Sequence, residues 1–185
     1  MLYLKKIAVL LSIAVVSGCA VQKVKLDEES AQKYSLKYSG VIVEDFTQDK
    51  KVSTSDVVWV NGWIPLSQWF DVQSPNKSYY KYLKSSFVPA GGGDSLRVAL
   101  IDAGFFMEKD FADDVAFVNL LAMQRERGYK CTASISISDS RRAERKDFEV
   151  QERASGFVDA PWLQEFSSRC RIKLTDQINS YLQDF

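Results

Sequence analysis

The chain contains no histidine, and that absence excludes a wide range of chemistry. Without imidazole there is no Ser-His-Asp or Cys-His nucleophile pair, no His-ligated zinc and no ordinary proton shuttle at neutral pH. Net charge is also missing, because 24 Lys and Arg balance 24 Asp and Glu. A chain with no basic excess has no field to draw it onto a phosphate backbone, so nucleic acid is not an expected partner. Proline is scarce at four residues and no tract is of low complexity. No apolar run reaches the ~20 residues that a membrane-spanning helix needs. Cysteine occurs only three times, at positions 19, 131 and 170.

What is there is ordinary globular material. The 185 residues are 46% hydrophobic and 26% charged, enough for one domain with a real core. The basic residues from Arg141 to Lys146 are interrupted by Glu144 and read as a solvated turn.

The N-terminus is the most informative segment. Lys5 and Lys6 precede the apolar run Ile7–Val16, and the small residues Ser17 and Gly18 follow, which is the layout of a cleaved signal peptide over residues 1–18. Val16-Ser17-Gly18-Cys19 resembles the lipobox of bacterial lipoproteins, in which the cysteine is lipidated and becomes the mature N-terminus. The competing reading is an ordinary secretory leader followed by an incidental cysteine. Diacylglycerol plus an N-acyl chain such as palmitate, at ~0.8 kcal/mol per buried methylene, makes release from the bilayer negligible. Ala20 in place of aspartate, by resemblance to sorted lipoproteins, implies the periplasmic face of the outer membrane. Residues 19–38 are expected to be the lipidated N-terminus and a polar spacer, and 39–185 a single domain.

With Cys19 assigned to lipid, Cys131 and Cys170 form an even pair in an oxidising compartment. Tyr129 to Ser138 alternates, with Tyr129, Cys131, Ala133, Ile135 and Ile137 on one face, as a half-buried strand does. Cys170 lies on the stripe Leu163, Phe166, Cys170, Leu174, Ile178 and Tyr181 of a helix expected from Trp162 to about Leu182, opened by Pro161. Both sulfurs then face one core. A disulfide and two buried thiols are the alternatives, since sequence does not show whether the backbones come within bridging distance.

Other elements follow from periodicity and turn chemistry. Gly40–Phe46 reads as a strand, and Asn61-Gly62 between Val57–Val60 and Trp63–Leu66 reads as a hairpin whose second arm Pro65 confines to an edge or strand end. Ser78–Val88 has helical spacing with Asn76 or Ser78 as cap, stopped by Pro89 and Gly91–Gly93. Leu96–Met107 is a long apolar strand. Val115–Arg127 carries both helix and strand signals, and is expected to run as strand into Tyr129–Ser138 with a bulge near Gly128. Phe148, Val150 and Ala154 mark a further strand. This order gives an α+β fold: an antiparallel sheet with two helices packed on one face, plus an aromatic β-hairpin.

Lipobox Val16–Cys19, strand Ser39–Val43, the Thr54–Val60 run and the Tyr79–Phe87 helix resemble small envelope lipoproteins of the YajG family. So do the paired strands Leu96–Met107 and Val115–Ser138, the Phe148 strand and the closing helix. The same layout is similar to the ABC-type transport auxiliary lipoproteins, including the PqiC-like group, and spans nearly all of the mature chain. The resemblance implies a sheet carrying two helices on one side and, for the auxiliary group, service to transporters that move lipid across the envelope. The added aromatic hairpin and long charged turns depart from it, so partner surfaces do not carry over.

No chemistry-bearing constellation stands out. Gly91-Gly92-Gly93 lacks the Gly-Lys-Ser/Thr ending of a phosphate loop. Asp110, Asp113 and Asp114 lack the alternate-ligand spacing of a calcium loop and read as turn residues. No metal or cofactor is expected, and no enzyme. Trp59, Trp63, Trp69 and Phe70 are the candidate partner or ligand surface, because tryptophan concentrates at interfaces; the competing reading makes them core. The expected role is a non-enzymatic accessory lipoprotein in envelope assembly or lipid transport, held by covalent lipid and docking a protein partner. The alternative is a periplasmic module that binds lipid or glycan. Self-association into a homo-oligomer is left open.

Overall fold

The structure, a computed structural model, describes residues 23–24, 31–47, 63–65, 71–72, 75–108, 126–154 and 160–185. Cys19 and its leader, Trp59, Trp69, Phe70, the hairpin arm 57–60, Asp110, Asp113, Asp114 and segment 115–125 lie outside these residues.

In chain order the elements are β1 (Lys23–Val24), β2 (Tyr34–Leu36), β3 (Gly40–Asp45), β4 (Trp63–Pro65) and β5 (Asp71–Val72). Then come α1 (Pro75–Ser86), β6 (Phe87–Pro89), β7 (Ser95–Glu108), β8 (Arg127–Ser138), β9 (Ala143–Ala154) and α2 (Ala160–Asp184). The main sheet runs β3-β7-β8-β9, with β4 also on β7; β2 with β6 and β1 with β5 form small parallel pairs.

β7 organises this sheet. One edge pairs antiparallel with β8 along its length, while the other is divided between parallel β3 at residues 95–100 and antiparallel β4 at 106–108. Between those two partners the Ala103 N–H donates to Asn76 Oδ1 at 2.6 Å, so the first turn of α1 satisfies a strand group that no neighbouring strand reaches. The apolar run of β7 also changes phase. Leu96, Val98 and Leu100 are buried, then a register shift between Leu100 and Asp102 inserts one residue, and Ala103, Phe105 and Met107 take over the core side. A bulge of this kind reverses which face every later side chain occupies.

The core joins these residues to β8's Tyr129, Cys131, Ala133, Ile135 and Ile137 and to Phe148 and Val150 of β9. Both helices feed the same cluster. α2 contributes Leu163, Phe166, Cys170, Leu174, Ile178 and Leu182, spaced three or four apart as one helical stripe, and α1 contributes Tyr79 and Leu83. The helices meet where the Tyr79 and Thr175 hydroxyls lie 3.4 Å apart. Cys131 and Cys170 are joined by a disulfide, with Cα atoms 6.1 Å apart and both residues fully buried.

Several expectations are corrected. The sheet is mixed, not purely antiparallel, because the long connection through α1 returns the chain beside β3 in the same direction. The helix expected at Ser78–Val88 begins at Pro75, whose missing N–H costs nothing in a first turn, so Asn76 and Ser78 lie inside the helix and neither caps it. It ends at Ser86, since Pro89 disfavours helical geometry at Val88, and Phe87–Pro89 becomes strand. The bulge sits at Leu100/Asp102; β8 passes Gly128 in regular pairing with β9. The boundary at residue 39 falls inside the fold, because Tyr34, Leu36 and Tyr38 are already core residues. Pro65 is the last residue of its strand, as expected, and the described partner of Trp63–Pro65 is β7. Among the described residues no helix is long and apolar enough to cross a membrane.

The bridge closes a loop of 39 residues and ties α2 to the sheet centre. Replacing both cysteines by alanine is expected to lower the unfolding free energy by about 2–5 kcal/mol. Urea denaturation of oxidised wild type and the double variant checks this, and coincident midpoints would exclude a stabilising bridge.

Candidate functional site

The face of the sheet opposite the core carries Lys130, Thr132, Ser134 and Ser136 from β8 and Asp147, Glu149 and Gln151 from β9. Ser134 donates a hydrogen bond to Asp147, and Lys130 Nζ pairs with Glu149 Oε2 at 3.1 Å. At one end of this polar field lie two aromatic rings, Trp63 from β4 and Phe106 from β7.

Both rings lie over glycines. A Cβ built on Gly128 would come within 3.0 Å of the Trp63 ring, and one on Gly104 within 2.6 Å of the Phe106 ring. A Cβ at Gly104 would force the Phe106 ring to move, and one at Gly128 would press on Glu108 Oε2 at 2.8 Å as well as on the Trp63 ring; this close approach is what a glycine inside a strand allows. Lys130 completes the group: its Nζ is 4.6 Å from the Trp63 ring centre and 5.8 Å from that of Phe106. Its side chain is only 15% exposed, so the ammonium is largely withdrawn from water and held by ring faces and Glu149.

Two shallow grooves flank Trp63. One, of about 310 Å³, is lined by Trp63, Phe106, Lys130, Ser134, Asp147 and Glu149, among others. The second, of about 290 Å³, is lined by Trp63, Glu108, Gly128, Gln151, Glu152 and Arg153. The Gln151 amide donates to Glu149, and with the Lys130 contact this outweighs partial burial and holds the Glu149 carboxyl below its usual range. Burial acts to raise Glu152, but hydrogen bonds from Arg169 at 3.0 Å and Lys173 at 2.8 Å prevail and lower it. Glu152 thereby links β9 to α2 at the end of the second groove.

Of the aromatic group singled out in the sequence, Trp63 alone lies within the described residues, and it is half-buried on the outer face. Trp162 has a different role: it stacks on Phe166 at 5.2 Å and lies 4.7 Å from Tyr129, against the core. Cys131 and Cys170 belong to the core side, away from the grooves. Sequence reasoning missed Phe106, Lys130 and the two glycines. The available signal was glycine interrupting two strand patterns, at 104 and 128. Among the described residues no group of three His, Cys, Asp or Glu is placed to hold a metal ion.

No family model and no curated protein matches the chain. Among solved structures it is similar to a minor lipoprotein from Acinetobacter baumannii, at 11% identity and a TM-score of 0.40, covering 80% of this chain and 92% of the other. An overlap of that size carries no inference about activity.

Two outcomes are expected from this geometry. Gly128→Ala should shift both the Trp63 ring and the Glu108 carboxylate that accepts the Gly128 N–H, while leaving stability within about 1 kcal/mol of wild type, since the strand accepts alanine and the clash is with movable side-chain ends. A shifted Trp63 indole NMR signal with an unchanged far-UV spectrum checks it; an unmoved signal would contradict the close approach. Because the Glu152 carboxyl is lowered on folding, its contribution is present above the ordinary value of 4.5 and is lost as pH falls through the folded value. The stability gap between wild type and Glu152→Gln should therefore be widest at neutral pH and close in acid, as followed by urea unfolding across a pH series.

Proposed function

We propose that this chain is a lipoprotein anchored through Cys19 to the periplasmic face of the outer membrane. There it acts as a non-enzymatic accessory module in envelope assembly or lipid transport, engaging its partner through the outer sheet face at Trp63. One observation carries the role: a half-buried tryptophan, seated against Gly128 beside Phe106, lies on the side of the sheet away from the core, on a surface of mixed polarity. The Cys131–Cys170 bridge supports an oxidising compartment. The leader and lipobox supply the anchor.

A second reading is a ligand-binding module, favoured by the hydroxyl, carboxylate and amide groups that line the grooves beside Trp63.

Two measurements test the proposal. Mass spectrometry of the mature chain should find diacylglyceryl-modified, acylated Cys19 at the N-terminus, and Cys19→Ala should leave the membrane fraction; an intact leader or an unmodified sulfur refutes the anchor. A photo-crosslinking residue at Thr132 should give a defined protein adduct in intact cells that Trp63→Ala abolishes. An adduct pattern indifferent to Trp63 would remove the docking role.

A further inference from the structure

The chemistry of the grooves beside Trp63 deepens the ligand-binding reading, on which this inference rests. Their floor presents ring faces. Trp63 lies against Gly128 and Phe106 against Gly104, the Lys130 ammonium stands over both rings, and the two grooves open on either side of the half-buried indole.

Charge then narrows the class. A ligand ammonium at the indole would have to compete with Lys130, whose Nζ already stands 4.6 Å from the ring centre and is paired with Glu149. An anionic ligand would meet Asp147 and Glu149 against Lys130 in one groove, and Glu108 and Glu152 against Arg153 in the other, so carboxylates outnumber cations in both. An acyl chain would strip water from those same carboxylates and from Ser134 without returning a hydrogen bond. What suits ring face and polar rim together is a molecule with C–H faces, many hydroxyls and no charge. Sugar C–H groups pack on an indole face, while carboxylate, hydroxyl and amide groups exchange hydrogen bonds with the ring hydroxyls.

Dimensions agree with that class. Grooves of about 310 and 290 Å³ on the two sides of one tryptophan each fall near the lower end of small-ligand sites, ~300–1,000 Å³. From Asp147 to Arg153 the row extends ~20 Å at the rise of an antiparallel strand, an elongated track and not a single deep pocket. We propose that the outer face binds a short uncharged oligosaccharide laid along β9, with one sugar ring stacked on Trp63 and its neighbours in the two flanking grooves.

The test uses the purified full chain in detergent, titrated by NMR and calorimetry. The probes are maltotetraose and tetra-N-acetylchitotetraose, both neutral, beside fully deacetylated chitotetraose as cation and tetragalacturonate as anion. At least one neutral tetramer should bind at millimolar or tighter affinity, shift resonances of Lys130–Ser134 and Asp147–Arg153, and bind at least tenfold more tightly than either charged probe. Trp63→Ala should weaken it at least tenfold. Gly128→Ala, which displaces the ring while the sheet stays folded, should do the same, so that loss of binding is separable from loss of fold. The proposal is overturned if neither neutral tetramer binds, if a charged probe binds more tightly, or if affinity is indifferent to Trp63 and Gly128. A Trp63-dependent protein adduct at Thr132 with no sugar binding refutes the oligosaccharide and keeps the docking reading; an unlipidated Cys19 with intact sugar binding does the reverse for the anchor.

Discussion

The parity of side chains along β7 is the constraint on which the rest of the structure depends. Before the register shift Leu96, Val98 and Leu100 point inward; after it Ala103, Phe105 and Met107 do. Strict alternation would have sent Asp102 and Phe106 into the core and Phe105 outward, leaving a carboxylate without water and removing a ring that packs edge-on against Phe166 at 6.2 Å. One extra residue settles both faces at once. It completes the inner cluster around the disulfide, and it delivers Phe106 to the outer face beside Lys130 and Trp63.

The two faces of the sheet are closed by different means. On the core side a long helix lays one apolar stripe over β8 and is fastened by Cys131–Cys170. Glu152 adds a charged tie from β9 to Arg169 and Lys173 on the same helix. On the outer side, apolar cover near β4 comes from two rings packed against Gly104 and Gly128. Those rings shield the strand backbone where the absence of a Cβ lets them approach it.

The divided edge of β7 explains how α1 comes to matter. β3 and β4 occupy its two ends, and Asn76 reaches the Ala103 N–H between them. A residue type that favours caps and turns is thus used inside a helix to bond a strand on another layer.

Much of this architecture was legible from period and punctuation. The alternation of Tyr129–Ile137, the stripe from Leu163 to Ile178, Pro161 at the start of the last helix and Pro65 at a strand end all act locally, through the facing of neighbouring side chains or the missing N–H of proline, so a short window of residues suffices to read them. Even the pairing of Cys131 with Cys170 was half visible, since each lay on a stripe facing inward; that the two stripes meet at 6.1 Å between Cα atoms is a property of the packed helix and sheet. The parallel course of β3, the position of the bulge, the use of Phe87–Pro89 as strand, and the meeting of Trp63 with Gly128, Phe106 and Lys130 were decided only in three dimensions. Each joins residues separated by tens of positions, and what selects them is competition among strand partners for the edges and faces of β7, a competition that no local stretch of sequence contains.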